Sequence, residues 1–264
     1  MHLCGVYRMS IKLFIGTSNI EDNWIEKNYL YSLFQNSNED FEVTFLRPKK
    51  FPKWNTFGWG TPFTCYRYAI PEICNYKGRA IYTDVDMINF RNLKHLWDTD
   101  LRGKPFGMCW DALQDNGVKW RDTKLERGWW CDSVMLIDNT KCKGIVPSTE
   151  EIAKANSTWK WIFMEDYLGS PHKDKGREFI ETLNPRWNSF DGKNAAVYVD
   201  GNSDLQPDFE LDEIWQLHLT SLSYQPWHPK YNPHSKANYR RKDIADYLWK
   251  LNEKTTMIAK SHEF

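Results

Sequence analysis

The sequence predicts an α/β fold of the nucleotide-binding type. Three observations carry this expectation. Apolar runs alternate with helical spacings in the order strand, helix, strand, helix, strand. The third run ends in Asp84-Val85-Asp86, a polar stop directly after a buried strand. At 264 residues, with no long polar or glycine- and serine-rich linker, the chain suits one large domain around a continuous core.

The elements follow in order. Ile11-Lys12-Leu13-Phe14-Ile15-Gly16 reads as a short buried strand closed by glycine. Asp22 then caps a helix in which Ile25, Tyr29, Leu30, Leu33 and Phe34 recur at helical spacing. Residues 41–46 are rich in β-branched and aromatic side chains and read as the second strand. After a loop with Pro48, Pro52, Gly58 and Gly60, residues 64–73 read as a helix, and residues 79–83 as the third strand. Further strands are expected at 106–110, 133–137 and 214–217, with helices at 149–156 and 238–254.

Composition narrows the function classes. Lys+Arg and Asp+Glu both number 35, so the net charge is zero, which argues against nucleic acid as the main partner. No apolar run reaches the roughly 20 residues that cross a bilayer, and residues 1–9 lack the apolar stretch of a secretory signal. A cytoplasmic protein is the resulting expectation. The six cysteines show no metal-ligand spacing and read as free thiols. The 14 tryptophans read mainly as packing residues, with sugar stacking as the sharper alternative. Tyr239-Arg240-Arg241-Lys242 reads as the solvated start of the last helix rather than a membrane patch.

The candidate site begins with Asp84 and Asp86. Side chains two apart in an extended segment project the same way, so both carboxylates leave the C-terminal edge of the sheet together. Two such carboxylates repel each other unless neutralised. A divalent cation neutralises them and keeps open positions for phosphate oxygens.

Together with its surroundings, this segment resembles the family-8 glycosyltransferases, retaining enzymes that include glycogenin and bacterial galactosyltransferases. Tyr66-Arg67-Tyr68-Ala69-Ile70-Pro71-Glu72-Ile73 is similar to the family helix R-x-x-I-P-E-L. Gly78-Arg79-Ala80-Ile81-Tyr82-Thr83-Asp84-Val85-Asp86 resembles its Y-L-D-A-D strand. Ser133-Val134-Met135-Leu136-Ile137-Asp138 is similar to G-V-M-L-I-N, Leu183-Asn184-Pro185-Arg186-Trp187-Asn188 to L-P-x-x-W-N, and His218 through Pro226-Trp227 to H-x-T…K-P-W.

The resemblance implies a GT-A-type fold with a mixed central sheet flanked by helices. It implies residues 1–10 as an extension, 11–232 as the catalytic domain and 233–264 as a C-terminal helical tail. It further implies a metal-dependent hexosyltransferase using a UDP-sugar donor and a carbohydrate acceptor with retention. Asp84, Asp86 and His218 would hold Mn²⁺, with Mg²⁺ as the other candidate. Thr17 and Ser18 would lie near the nucleoside, Arg67 and Thr83 near the donor, and the backbone around Val85 near the ribose. Glu165, Asp132 and Asp111 would lie near the reacting sugar, with structural hydrogen bonding as their alternative role.

The chain also departs from the family pattern. Gln225 stands where the family has the lysine that touches the donor phosphates, and Lys230 is the nearby cation that would replace it. Cys131-Asp132-Ser133 replaces N-[AS]-G, and Met164-Glu165-Asp166 is the nearest match to D-Q-D. Two rival readings follow from the residues. An aspartate-nucleophile phosphatase shares D-x-D but wants Thr or Val where Ile88 stands. A nucleotide-sugar-binding protein without activity is the second.

Overall fold

The computed structural model describes residues 10–18, 24–56, 63–111, 129–154, 178–191, 209–219, 236, 239 and 241–261. Its main sheet has six strands in the order β2-β1-β3-β6-β5-β7. These are β1 (Ile11–Gly16), β2 (Phe41–Leu46), β3 (Arg79–Asp84), β5 (Phe106–Asp111), β6 (Trp129–Asp138) and β7 (Ile180–Thr182). The strands β1, β2 and β3 run parallel, β6 is antiparallel to β3 and β5, and β7 is parallel to β5. The sheet is therefore mixed. A second sheet of three short strands, β4 (Met87–Asn89), β9 (Gln216–His218) and β8 (Ser189–Phe190), stands beside it.

Strand alternation builds two cores from one sheet. In β1, Leu13 and Ile15 face one side and Phe14 the other; in β3, Ile81 opposes Ala80 and Tyr82; in β6, Val134 and Leu136 oppose Met135 and Ile137. The first side is covered by α1 (Trp24–Asn36) through Ile25, Tyr29 and Leu33, and by Leu96 of α3 (Lys94–Trp97). The second is covered by residues 64–73 and by Ile152 of α4 (Thr149–Lys154). A third core joins the small sheet to α5 (Lys242–Ser261), where Ile88, Leu217 and Leu219 meet Ile244, Leu248 and Leu251. The same helix bonds α1, since Thr255 Oγ1 donates to Asn28 Oδ1 at 2.9 Å.

Four expectations are corrected. Residues 64–73 form a 3₁₀ turn (Thr64–Ala69) that becomes helix α2 (Ile70–Ile73). Pro71 explains the change: it has no N–H to offer the Arg67 carbonyl, which instead accepts from Ile70 in the i→i+3 pattern. The last helix starts at 242, not 238, with Asp243 in its first turn gripped by the Arg241 guanidinium at 2.9 Å. The late strand is shifted to 216–218, and β6 extends back to Trp129. The expected cap Asp22 lies outside the described residues. The described cysteines are free thiols, as expected. Among the described residues no helix is long and apolar enough to cross a membrane.

Candidate functional site

The site forms where β1 and β3 end side by side. Gly16 pairs with Asp84 in register, and the Val85 N–H donates to the Gly16 carbonyl at 3.1 Å. Beyond Asp84 the chain bends at Val85 and Asp86 and enters β4. That strand pairs antiparallel with β9, matching Met87 to His218, while the Leu219 N–H donates to the Asp86 carbonyl at 2.8 Å. Sheet pairing thus carries a distant histidine to the aspartate pair. Ligand atoms of Asp84, Asp86 and His218 all lie within 4.8 Å of one another.

The donor set fits a divalent cation on three counts. One carboxylate oxygen, Asp86 Oδ1, is buried without a hydrogen-bond partner. His218 Nε2 stands 3.6 Å from it, an ion-pair distance too long for a hydrogen bond. On its other side His218 Nδ1 lies 3.0 Å from the Asn188 amide oxygen, which can only accept, so Nδ1 carries the proton and Nε2 faces the carboxylates. Burial pushes the Asp84 carboxyl above the usual carboxylate range. Burial would lower His218, but Asp86 and then Asp84 and Asp191 outweigh it and raise the imidazole above its usual value. Oxygen ligands with one imidazole suit a hard or borderline divalent ion.

Behind the aspartates lies a cation that sequence reasoning placed only loosely. Arg67 is 2% exposed and donates to Asp84 Oδ1 at 2.9 Å, and its other arm reaches Asp132 Oδ1 at 2.7 Å. Its guanidinium lies over the Tyr82 ring, 4.5 Å from the centroid. Burial opposes the charge, and Asp132 and Asp84 override it, holding Arg67 well above the ordinary arginine value. The Tyr82 hydroxyl also donates to Asp84 Oδ1, and Tyr68 donates to Asp132 Oδ2 at 2.5 Å. Both contacts to Asp84 fall on Oδ1, so neither occupies Oδ2.

Asp132 reaches Arg67 through an irregularity. Between Met108 and Cys109 the register on β6 jumps from Met135 to Cys131, so residues 132–134 have no partners on β5. Asp132 is thereby tied to Arg67 and Tyr68. Asp84 and Asp132 share the Arg67 guanidinium, and Asp86 adds a third carboxylate beside Asp84, an excess of negative charge that a divalent ion would offset.

The remaining expected residues divide. Thr17 is fully buried and its hydroxyl donates to Glu26 Oε1 at 2.6 Å, so it faces inward. Thr83 is equally buried and shares a 2.9 Å hydrogen bond with the Tyr29 hydroxyl, on the side away from Asp84. Both hydroxyls are engaged within the protein. Ser18 is half-buried beside the end of β1. Asp111 closes β5, but its side chain, like Glu165, Gln225 and Lys230, lies outside the described residues. Sequence reasoning missed Tyr82 and Tyr68, which read as core aromatics, and the part Asn188 plays, although its motif was visible.

Gly16 makes this geometry sensitive to one methyl group. A Cβ there would stand 2.2 Å from the Tyr82 hydroxyl and 3.0 Å from Phe63 Cδ2. Tyr82 cannot swing aside without leaving Arg67 and Asp84. Gly16→Ala is expected to cost about 1–3 kcal/mol of stability through overpacking, read as a lowered denaturant midpoint. An unchanged midpoint would show that the ring has room to move.

Residues 21–160 match the family described as glycosyl transferase family 8, more than half of the chain. His218 lies outside the matched segment. No curated protein matches by sequence. Among solved structures, the galactosyltransferase LgtC in complex with donor and acceptor sugar analogs superposes with a TM-score of 0.58 at 14% identity, over 92% of this chain and 96% of that one. The apo form of the glycosyltransferase GlyE of Streptococcus pneumoniae TIGR4 gives 0.55 at 17%, over 92% of this chain and 60% of that one. These likenesses agree with the GT-A-type mixed sheet. The extent of the family match, with the aspartate pair at the sheet edge inside it, makes the chain a glycosyltransferase belonging to glycosyl transferase family 8.

Proposed function

We propose that this glycosyltransferase takes a hexose from a UDP-sugar and passes it to a carbohydrate acceptor, with a divalent cation, Mn²⁺ or Mg²⁺, held by Asp84, Asp86 and His218. The observation that carries the reading is the Asp86 oxygen, buried without a partner and facing His218 Nε2. A buried acceptor left in that state costs stability, so its retention points to a ligand. When bound, the cation supplies Lewis-acid stabilisation to the departing nucleoside diphosphate.

The chain's own residues do the rest. Asn188 fixes the imidazole, and Arg67 with Tyr82 fixes the Asp84 carboxylate, so the ligands are oriented before the donor arrives. Ser18 and the backbone at Val85 border the space where the nucleoside and ribose would lie. The ion pair of Asp132 with Arg67 favours a role in holding Arg67 over one as attacking carboxylate. Family membership supports retention of configuration. We place the catalytic unit at residues 11–232, with the following segment bound to it through α5.

Calorimetric titration with UDP, with and without Mn²⁺, tests the reading. Binding that requires the metal is the expected result. Absence of UDP binding with either Mn²⁺ or Mg²⁺ would overturn the donor assignment.

A further inference from the structure

A second buried charge network, separate from the aspartates, sits behind the end of β1. Arg47, at the end of β2, forks onto Glu26 in the first turn of α1: Nη1 donates to Oε1 and Nη2 to Oε2, both at 2.7 Å. The pair is 7% and 5% exposed. Arg47 also lies over the Phe45 ring, 4.7 Å from its centroid.

What the pair holds is the segment at residues 17–18. The Thr17 hydroxyl donates to the same Glu26 Oε1 at 2.6 Å, and Arg47 Nη1 donates to the Ser18 carbonyl at 2.9 Å. The Thr17 N–H meanwhile donates to the Leu46 carbonyl at 3.1 Å. Thr17 is therefore pinned through side chain and backbone, and Ser18 through its carbonyl.

Burying two charges carries a desolvation penalty that an apolar pair of similar volume avoids, so packing alone is a poor reason for this network. A bidentate fork does supply geometry, fixing where Ser18 stands. Ser18 follows the C-terminal end of β1, which pairs with β3 up to Gly16, on the edge where open α/β sheets receive ligands.

We propose that Glu26 and Arg47 are positioning residues for the donor's nucleoside. They hold residues 17–18 in the shape that receives it, with Thr17 as an inward strut and Ser18 with its backbone as the contact. The inference rests on the nucleotide-sugar reading above. It gives the chain two pre-set halves of a donor site, one for the diphosphate and one for the nucleoside.

The test is the double variant Glu26→Met/Arg47→Met, which removes both charges together and leaves neither unpaired. Four quantities are measured beside wild type: melting temperature, Mn²⁺ affinity, UDP affinity, and KM and kcat for donor hydrolysis. The expected result is a Tm and Mn²⁺ affinity near wild type, UDP binding and donor KM weakened at least tenfold, and kcat within threefold. Thr17→Val, which deletes one hydroxyl, should move KM the same way by about threefold and keeps the question open to measurement should the double variant not fold. UDP affinity and KM within twofold of wild type, in whichever of the two variants folds, overturn the inference while leaving the donor reading intact. Failure of the wild-type protein to bind UDP removes both.

Discussion

Asp86→Asn should lower turnover by about 10³-fold while leaving the metal-free protein at least as stable as wild type. The two halves of this expectation come from one feature. Asp86 Oδ1 has no internal hydrogen bond to lose, and its charge repels that of Asp84. Removing it relieves repulsion in the empty protein, where the ion pair with His218 at 3.6 Å is the main contact given up. With metal and donor the balance reverses, because a Lewis acid contributes several kcal/mol to the transition state and each ~1.4 kcal/mol is a factor of ten. Thermal melting in chelator and donor turnover in Mn²⁺ check the two halves. Turnover within tenfold of wild type would remove Asp86 from the metal site, and a large fall in chelator Tm would make it structural.

Arg67→Met is the second large effect, on stability. The methionine fills much of the volume but leaves Asp84 and Asp132 facing each other with only tyrosine hydroxyls for partners. Breaking a buried pair from one side typically costs about 3–5 kcal/mol, because the remaining charges stay desolvated. Here two carboxylates are stranded, so the upper part of that range is expected in urea unfolding without metal. Asp132→Asn in the same chain should recover part of the loss, since the two sites share one ion pair and cannot be additive. Additive effects would mean that the Arg67–Asp132 contact carries no energy. Saturating Mn²⁺ should narrow the gap as well, by supplying positive charge next to Asp84.

The legible part of the site was the part encoded locally. Asp84 and Asp86 could be placed on one side of a sheet edge because strand alternation has a fixed period and the strand before them is strongly apolar. The parallel β1, β2 and β3 were readable for the same reason. His218 could be tied to them only through resemblance, because the pairing that delivers it joins two strands of three residues each, too short to show a period. Tyr82 gave no warning, since a tyrosine inside an apolar strand looks like any core ring and its hydroxyl partner is set by the bend after Asp84. The tie between Asp132 and Arg67 depends on a register jump in β6, and such irregularities leave no compositional mark. At residues 64–73 the helical spacing was real, but Pro71 withdrew the one N–H that an α-turn over Arg67 required.

The pairing of β4 with β9 also sets an order in time. Asp86 and His218 are 132 residues apart in the chain. At roughly 5–20 residues per second of synthesis, about 7 to 26 s pass between their appearance. During that interval β1, β2, β3 and Arg67 already exist, so the parallel half of the sheet can form while its aspartates wait for their imidazole. A cation captured then would be held by carboxylates alone and would exchange readily. On the metal reading proposed above, tight retention would begin when β9 docks, which would make closure of the small sheet, rather than formation of the large one, the event that switches a nascent chain from folded to competent.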